Sequence, residues 1–496
     1  MSSHWAALTF KLVLLIGLSS LSARALSQSV KLASKKFTEN VILAEIARQI
    51  LEAKGFNAEH RKELGSTRIV WEAMRRGEID IYPDYSGTIL HEILAKEKLT
   101  QADQLREALK AYNIGVTKPI GFNNTYAMGM RRSKAEALNI TRISQLRDHS
   151  ELVYGLGHEF LERADGWPGL RKLYGLRPQE VKGIDHDLGY KALESGAIDI
   201  IDLYTTDAEI EHYDLVALED DRQYFPEYQA VFLYRLDLES EVVFHLHSLV
   251  GLVTEKRMIA MNTSSKIKGH SAEKVAQDFL RDVLDIESQV KEISLTQLIV
   301  QRTREHLFLV GWSLAFAIIC SIPLGFMASR NLWLQKILLS TVGLIQTIPS
   351  LALLVVMIPI FGIGTLPALF ALFLYSLLPI VRGTFYGFRN ISSEVRESAT
   401  ALGLPDWDQF RRIFWPLALP SILNGIKTSA VINVGTATLG ALVGAGGYGQ
   451  TILRGIRLDR LDLILAGAIP AAVLALVIDL LFDWIENLTV SRGLRQ

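Results

Sequence analysis

Apolar and polar residues follow two unlike regimes along the chain. Up to about Arg304 they mix as in a water-soluble protein; beyond it, charge nearly vanishes for long stretches. In the first regime, short β-type runs alternate with helical periodicity. Val30-Lys31-Leu32-Ala33 precedes a helix with apolar Val41, Ile42, Ala44, Ile46, Ile50 and Leu51. Asp80-Ile81-Tyr82 follows a helix carrying Val70, Ala73 and Met74, and Leu152-Val153-Tyr154-Gly155 and Ile198-Asp199-Ile200-Ile201 are further strands beside helices. This alternation predicts α/β structure with mainly parallel sheets, and about 260 residues suits two lobes. Open α/β sheets bind ligands at strand carboxyl ends, so the cleft between lobes is the expected site.

In the second regime, Leu307 to Ser329 is uncharged and long enough to cross a bilayer, which takes about 20 residues. Ile337 to Val381 is also uncharged but too long for one span, and Phe361-Gly362-Ile363-Gly364-Thr365-Leu366-Pro367 divides it into two. Pro416 to Leu453 carries only Lys427, and Leu463 to Ile478 completes five expected spans. Pro323, Pro349, Pro359, Pro379 and Pro470 fall within these runs, where neighbouring helices re-satisfy the backbone. Small residues at Gly435, Ala437, Gly440 and Ala441 predict close helix packing. Lys427 either snorkels or lines the pathway, and Asp479, Asp483 and Glu486 are expected at the cytoplasmic membrane boundary.

Basic residues orient the bundle. Arg330, Lys336, Arg382, Arg389, Arg396, Arg411, Arg412, Arg492 and Arg495 all face the cytoplasm if the first span starts outside. Arg454, Arg457 and Arg460 then lie outside against the rule, diluted by Asp459 and Asp462. The N-terminus agrees with an exported front half. His4 and Lys11 precede an apolar core from Leu12 to Leu18, and Ala23-Arg24-Ala25 suits cleavage, although retention as an anchor stays open. The expected division is 1–25 export signal, 26–290 two-lobed domain, 291–306 linker, 307–486 membrane domain and 487–496 cytoplasmic tail.

The formal net charge of −1 implies no general attraction to nucleic acid or acidic lipid. The one cysteine, Cys320, excludes an intrachain disulfide and reads as a packing residue. His186, His245 and His247 lack metal-ligand spacing and read as surface or structural. Gly444-Ala445-Gly446-Gly447-Tyr448-Gly449 matches G-x-G-x-x-G but follows a span rather than a strand, so it reads as a glycine-rich outer turn. No Walker A pattern occurs, so ATP chemistry would belong to another subunit.

Candidate site residues sit in loops after the predicted strands. Ser34-Lys35-Lys36-Phe37-Thr38-Glu39-Asn40 and Gly65-Ser66-Thr67 each open a helix. Tyr82-Pro83-Asp84-Tyr85-Ser86-Gly87-Thr88, Asn123-Asn124-Thr125-Tyr126, Leu203-Tyr204-Thr205-Thr206-Asp207 and Phe225-Pro226-Glu227-Tyr228 each bring a tyrosine. A quaternary ammonium has no hydrogen-bond donor, but an aromatic face attracts it by about 0.5–2 kcal/mol per ring. Ser66 and Thr67, at a helix N-terminus, suit a carboxylate or hydroxyl at the solute's other end. The plainer reading of any single tyrosine is a ring at the core boundary with its hydroxyl wet.

These segments, with His158-Glu159-Phe160-Leu161-Glu162-Arg163-Ala164-Asp165-Gly166, occur in an order that resembles the solute-binding proteins of osmoprotectant ABC importers, the glycine betaine/choline/carnitine group. The resemblance covers nearly all of residues 30–285. It implies an aromatic ligand cage of Tyr85, Tyr126, Tyr204 and Tyr228, with Asn40, Ser66, Thr67 and Thr206 completing the ligand set. Asn40 stands where the family often has Gln, and Ser86 where Thr or Asp is usual. Ergothioneine, a betaine carried by similar proteins, would suit such a cage equally.

Glu397-Ser398-Ala399, Gly403, Ile413 and Pro416 resemble the "EAA" loop of ABC importer permeases, a likeness extending over about residues 295–490. Together the two resemblances imply a two-lobed α/β periplasmic binding protein, type II-like, followed by an all-α transmembrane permease. They imply no enzymatic activity or cofactor in this chain, two copies of a separate ATP-binding subunit, and a homodimer in the inner membrane with the front domain outside. A ligand-gated channel, or a membrane-bound sensor or enzyme, would also join a two-lobed receptor to membrane helices; the Glu397 loop speaks against the channel, and no nucleophile–base set supports an enzyme.

Overall fold

The computed structural model describes residues 29–97, 102–290, 294–458 and 460–491. The expected signal, 1–25, lies outside the described residues. The front half forms two five-stranded sheets. In lobe one, β1 (Val30–Lys35), α1 (Thr38–Ala53), β2 (Ala58–Gly65), α2 (Thr67–Arg75) and β3 (Ile81–Tyr85) are joined by β4 (Ile114–Val116) before the chain crosses over. Lobe two holds β5 (Tyr126–Arg131), β6 (Val153–Gly157), β7 (Glu180–Ile184), α3 (His186–Glu194), β8 (Ile200–Tyr204) and β9 (Leu215–Leu218). The chain then returns to lobe one as β10 (Ala230–Arg235), α4 (Glu255–Lys266) and α5 (Ala272–Leu284).

Each sheet is mixed rather than mainly parallel. β1 runs parallel to β2 and β3, while β10 runs antiparallel to β3 and β4. In lobe two β6 is parallel to β7 and β8, and β5 is antiparallel to β8 and β9. The antiparallel members are the strands by which the chain enters or re-enters a lobe. Their direction follows from the crossover and not from a βα repeat.

The back half is helical: α6 (Leu295–Arg330), α7 (Leu332–Thr347), α8 (Ser350–Phe361), α9 (Thr365–Arg389), α10 (Ser393–Ala401), α11 (Trp415–Ala437), α12 (Tyr448–Arg457) and α13 (Leu461–Thr489). Among the described residues, four stretches are long and apolar enough to span a membrane, and α7 with α8 forms a fifth bent by 99°. The bend falls at Ile348-Pro349, where Ile348 is extended (ψ 126°) because a residue before proline disfavours helix. Residues 295–306, expected as linker, form the first turns of α6. Close packing occurs at Ala437, Gly440 and Ala441 as expected, with a Cβ at Gly440 meeting Ala445 at 3.3 Å. Gly435 instead faces open space, and a Cβ at Gly383 or Gly425 would meet backbone oxygen at 2.6 Å, so α9 and α11 also touch there. Cys320, expected in packing, faces outward on α6.

Lys427 neither snorkels alone nor stands free. Its Nζ lies 2.6 Å from Asp483 and 2.9 Å from Asp479, an ion triad that ties α11 to α13. Removing the cation leaves two carboxylates in an apolar setting, which costs more than removing all three charges. Lys427→Leu is expected to lower the thermal midpoint in detergent by about 2–4 °C, equivalent to ~1 kcal/mol, and the triple change with Asp479→Leu and Asp483→Leu to restore it. An unchanged midpoint in the single variant would show the triad to be idle.

Candidate functional site

Tyr126 and Tyr204 are cross-strand partners at the cleft ends of β5 and β8. Their rings therefore share a face, with centroids 4.9 Å apart and hydroxyls 3.4 Å apart. Tyr228, just before β10, meets Tyr126 edge-on at 5.6 Å. Phe160 and Phe225 add rings 5.0 and 6.1 Å from Tyr126. Tyr85 ends β3 and joins through Phe37, whose ring lies 6.0 Å from both Tyr85 and Tyr204. All four expected tyrosines thus belong to one aromatic cluster drawn from both lobes. Phe37, Phe160 and Phe225 stood in the quoted segments, but attention to tyrosine alone passed over them.

Beneath the cluster lies a carboxylate that the sequence reading did not single out. Glu39, buried, accepts from Tyr85 Oη at 2.5 Å, Thr206 Oγ1 at 2.6 Å, Asn124 Nδ2 at 2.8 Å and Asn262 Nδ2 at 3.0 Å. Burial pushes its pKa up, and the bonds from Thr206, Tyr85 and Asn262 oppose that rise. Thr206 therefore reaches the site through Glu39. Asn40 is engaged by backbone at both ends of its amide: Oδ1 accepts from Lys35 N at 2.6 Å, and Nδ2 donates to Pro83 O at 2.7 Å. It clamps the ends of β1 and β3 under the cage. Ser66 is the N-cap of α2 without a side-chain cap bond, and Thr67 is buried. The pairing of Lys35 with Gly65 sets both beside the loop that carries Phe37.

Protein cations already touch the rings. The Arg163 guanidinium lies 5.8 Å from the Tyr126 centroid and pairs with Asp165 at 2.6 Å and Glu92 at 2.7 Å. Asp165 also accepts from Tyr228 Oη at 2.6 Å. Arg163 thus braces the cage and joins the lobes, with its donors occupied by protein carboxylates. His186 packs 4.7 Å from Tyr204 and bonds to Asp207 at 3.1 Å. Burial would lower its pKa, but the bonds and charges of Asp202 and Asp207 outweigh that and hold it well above the ordinary value. His245 and His247 pack against Phe56 and Tyr234, away from the cage.

At the far end of the bundle, α10 carries exposed Glu397 and buried Ala399, and Gly403 ends the segment with φ +68°. The helix that follows runs from Asp406 through Ile413 and Pro416 into α11 without a break. Arg396 fixes the loop: its Nη2 donates to Phe388 O at 2.5 Å, and its guanidinium lies 5.3 Å from the Phe414 centroid. Leu402 and Trp407 are 73% and 68% exposed. Large apolar side chains so exposed beside a charged helix suit a groove on another protein.

The model of the substrate-binding domain of ABC-type glycine betaine transport systems matches residues 28–282. That of the inner-membrane component of binding-protein-dependent transport systems matches residues 321–492. The osmoprotectant import permease protein OsmW of Salmonella typhimurium is 40% identical over 198 residues, 39% of this chain and 92% of that protein. The carnitine transport permease protein OpuCD of Listeria monocytogenes is 43% identical over 183 residues, 37% of this chain and 82% of that protein. A solved glycine betaine/carnitine/choline ABC transporter structure covers 51% of this chain and 98% of its own, at 27% identity and a TM-score of 0.44.

The geometry sets two expectations for calorimetric titration of the whole chain with choline. Tyr126→Ala and Tyr204→Ala should each weaken binding by about 2- to 30-fold, one ring's worth of attraction; unchanged affinity in both would remove the cage. A cation beside Glu39 favours its anion, so binding releases protons and weakens as pH falls through the raised pKa. Glu39→Gln should weaken binding and flatten that pH dependence. A wild-type affinity flat between about pH 4 and 7 would count against the carboxylate's role.

Proposed function

The chain belongs to the family of ABC-type glycine betaine transport systems, with a substrate-binding domain and an inner-membrane permease component in one polypeptide, and we propose that it captures a quaternary ammonium solute and forms half of that solute's import pathway. The permease lies in the inner membrane and the binding domain on its outer side. The observation that carries the solute class is the aromatic cluster centred on Tyr126 above buried Glu39. Tyr85, Tyr126, Tyr204 and Tyr228 form the cage, Asn40 and Thr206 its frame, and Ser66 and Thr67 receive the solute's other end. Around the cage, Asp84, Asp165, Glu92, Asp202 and Asp207 each face a protein cation, whereas Glu39 is held by neutral donors. A carboxylate without a cationic partner favours choline, a plain cation, over the zwitterionic betaines.

The domain division is 26–290 for the receptor and 307–486 for the permease. A separate ATPase docks on Glu397, Ala399, Gly403, Ile413 and Pro416, and its two copies serve a homodimer of this chain. A tether of this kind keeps each receptor at about millimolar concentration beside the pathway. Titration with choline, glycine betaine, carnitine, proline betaine and ergothioneine is expected to rank choline first. Uptake of the best binder should stop when the partner ATPase is inactivated; uptake that persists would favour a channel. A second, different membrane subunit in the purified complex would exclude the homodimer.

A further inference from the structure

Arg454, Arg457 and Arg460 stand at the outer end of the bundle, against the topology rule that the other basic loops obey. The structure supplies a reason. Arg457, 13% exposed, pairs with Glu63 of lobe one, itself 15% exposed. Arg460 donates to Gly269 O, just beyond α4, at 3.3 Å. Arg454 borders the same contact beside Lys62 and Glu273.

Glu63 is an unusual strand residue. Its φ is +57°, and the pairing of β1 with β2 shifts register between Ala33 and Lys35. A non-glycine residue in that conformation costs about 1–2 kcal/mol. Such a bulge re-aims a side chain, here toward Arg457. The bulge is held by Glu63 N donating to Ser34 Oγ at 3.0 Å. Ser34 begins the segment that carries Phe37 into the cage, so the contact and the solute site share one loop.

A second contact uses the break between α8 and α9. In a continued helix, Ile363 N would donate to Pro359 O. Here Glu78 accepts from Ile363 N at 3.2 Å, and Arg76 donates to Pro359 O at 3.3 Å and Ile358 O at 3.0 Å. The two receptor residues replace the missing bond with charge-assisted ones. Ile363 itself packs against lobe one's apolar cluster. Lobe two also reaches α12, through α3, and a cavity of about 430 Å³ opens beside that contact.

We propose that these contacts are a docking seat for this chain's own first lobe, which stays on Arg457 and on the 358–363 break while lobe two moves to release solute. The proposal goes beyond the importer reading and rests on it only for the transport arm of its test. In the first arm, a Cys320→Ala chain carrying Glu63→Cys and Arg457→Cys is treated with a short bismaleimide. An intrachain product at monomer size is expected; a dimer-sized product would assign the seat to a second copy, and no product would overturn docking. In the second arm, Arg457→Glu should cut ATP-dependent choline uptake at least tenfold with choline binding and expression unchanged. Arg457→Lys should retain at least half, and Glu63→Arg with Arg457→Glu should recover at least a third. A charge swap no better than its parents, or full uptake by Arg457→Glu, overturns the proposal. Wild-type chain without ATP-dependent uptake would instead refute the importer reading and leave the cross-link to decide the seat.

Discussion

A buried carboxylate in a closing cleft must be met by donors from whatever closes over it. Glu39 meets this demand with Tyr85 and Asn262 from lobe one, Asn124 from the crossover and Thr206 from lobe two. Opening the lobes removes Thr206 and leaves its oxygen of Glu39 with Asn262, so closing the cleft completes the site. The same carboxylate supplies what the rings lack. Aromatic faces attract a quaternary cation without directing it, while a carboxylate ionised beneath them makes the potential negative at one end of the cage. Arg163 adds a second bond between lobes through Glu92, and it braces Tyr126 and Tyr228 without offering a free positive charge that would repel the solute.

The architecture was legible where it depends on local pattern. The βα alternation, the loss of charge after Arg304 and the break at Phe361–Pro367 each became the expected element. The four tyrosines came together because strand ends place side chains at the cleft. What was not legible depends on long-range pairing. The antiparallel entry strands β5 and β10 are set by crossovers, which hydropathy does not encode. Asn262 reaches Glu39 across 223 residues of chain from a helix with no recognisable motif. Asn40 was expected in the ligand set, but the two backbone bonds that engage both ends of its amide are visible only in three dimensions. His186 read as structural by its spacing, and its place against Tyr204 depends on Asp202 and Asp207 arriving from β8 and the turn after it.

Charges that broke a local rule found partners in distant segments. Lys427 interrupts an apolar span, and Asp479 and Asp483 interrupt another; the three neutralise most of one another across α11 and α13. Because α11 continues directly from the loop of Glu397 and Gly403, this triad ties the last span to that loop. Arg457 and Glu63 do the same at the outer surface, between domains. A charge count along the chain treats each as a cost, whereas pairing makes each a constraint on how two elements sit.

The modest size of the outer contact follows from the fusion. A free receptor at micromolar concentration needs a docking affinity near micromolar, about −8 kcal/mol, to occupy its permease. A tethered receptor at about millimolar needs only millimolar affinity, about −4 kcal/mol. Partly exposed ion pairs give ~1 kcal/mol or less each, and a partly buried aliphatic side chain gives less than the ~1.5–3 kcal/mol of full burial. Glu63 on Arg457, Arg76 and Glu78 on the α8–α9 break, and the partly buried Ile363 against lobe one therefore approach the weaker requirement and fall well short of the stronger one. A polar seat of this strength also lets go easily. That suits a receptor whose second lobe must swing away in each cycle without the first lobe having to leave the bundle.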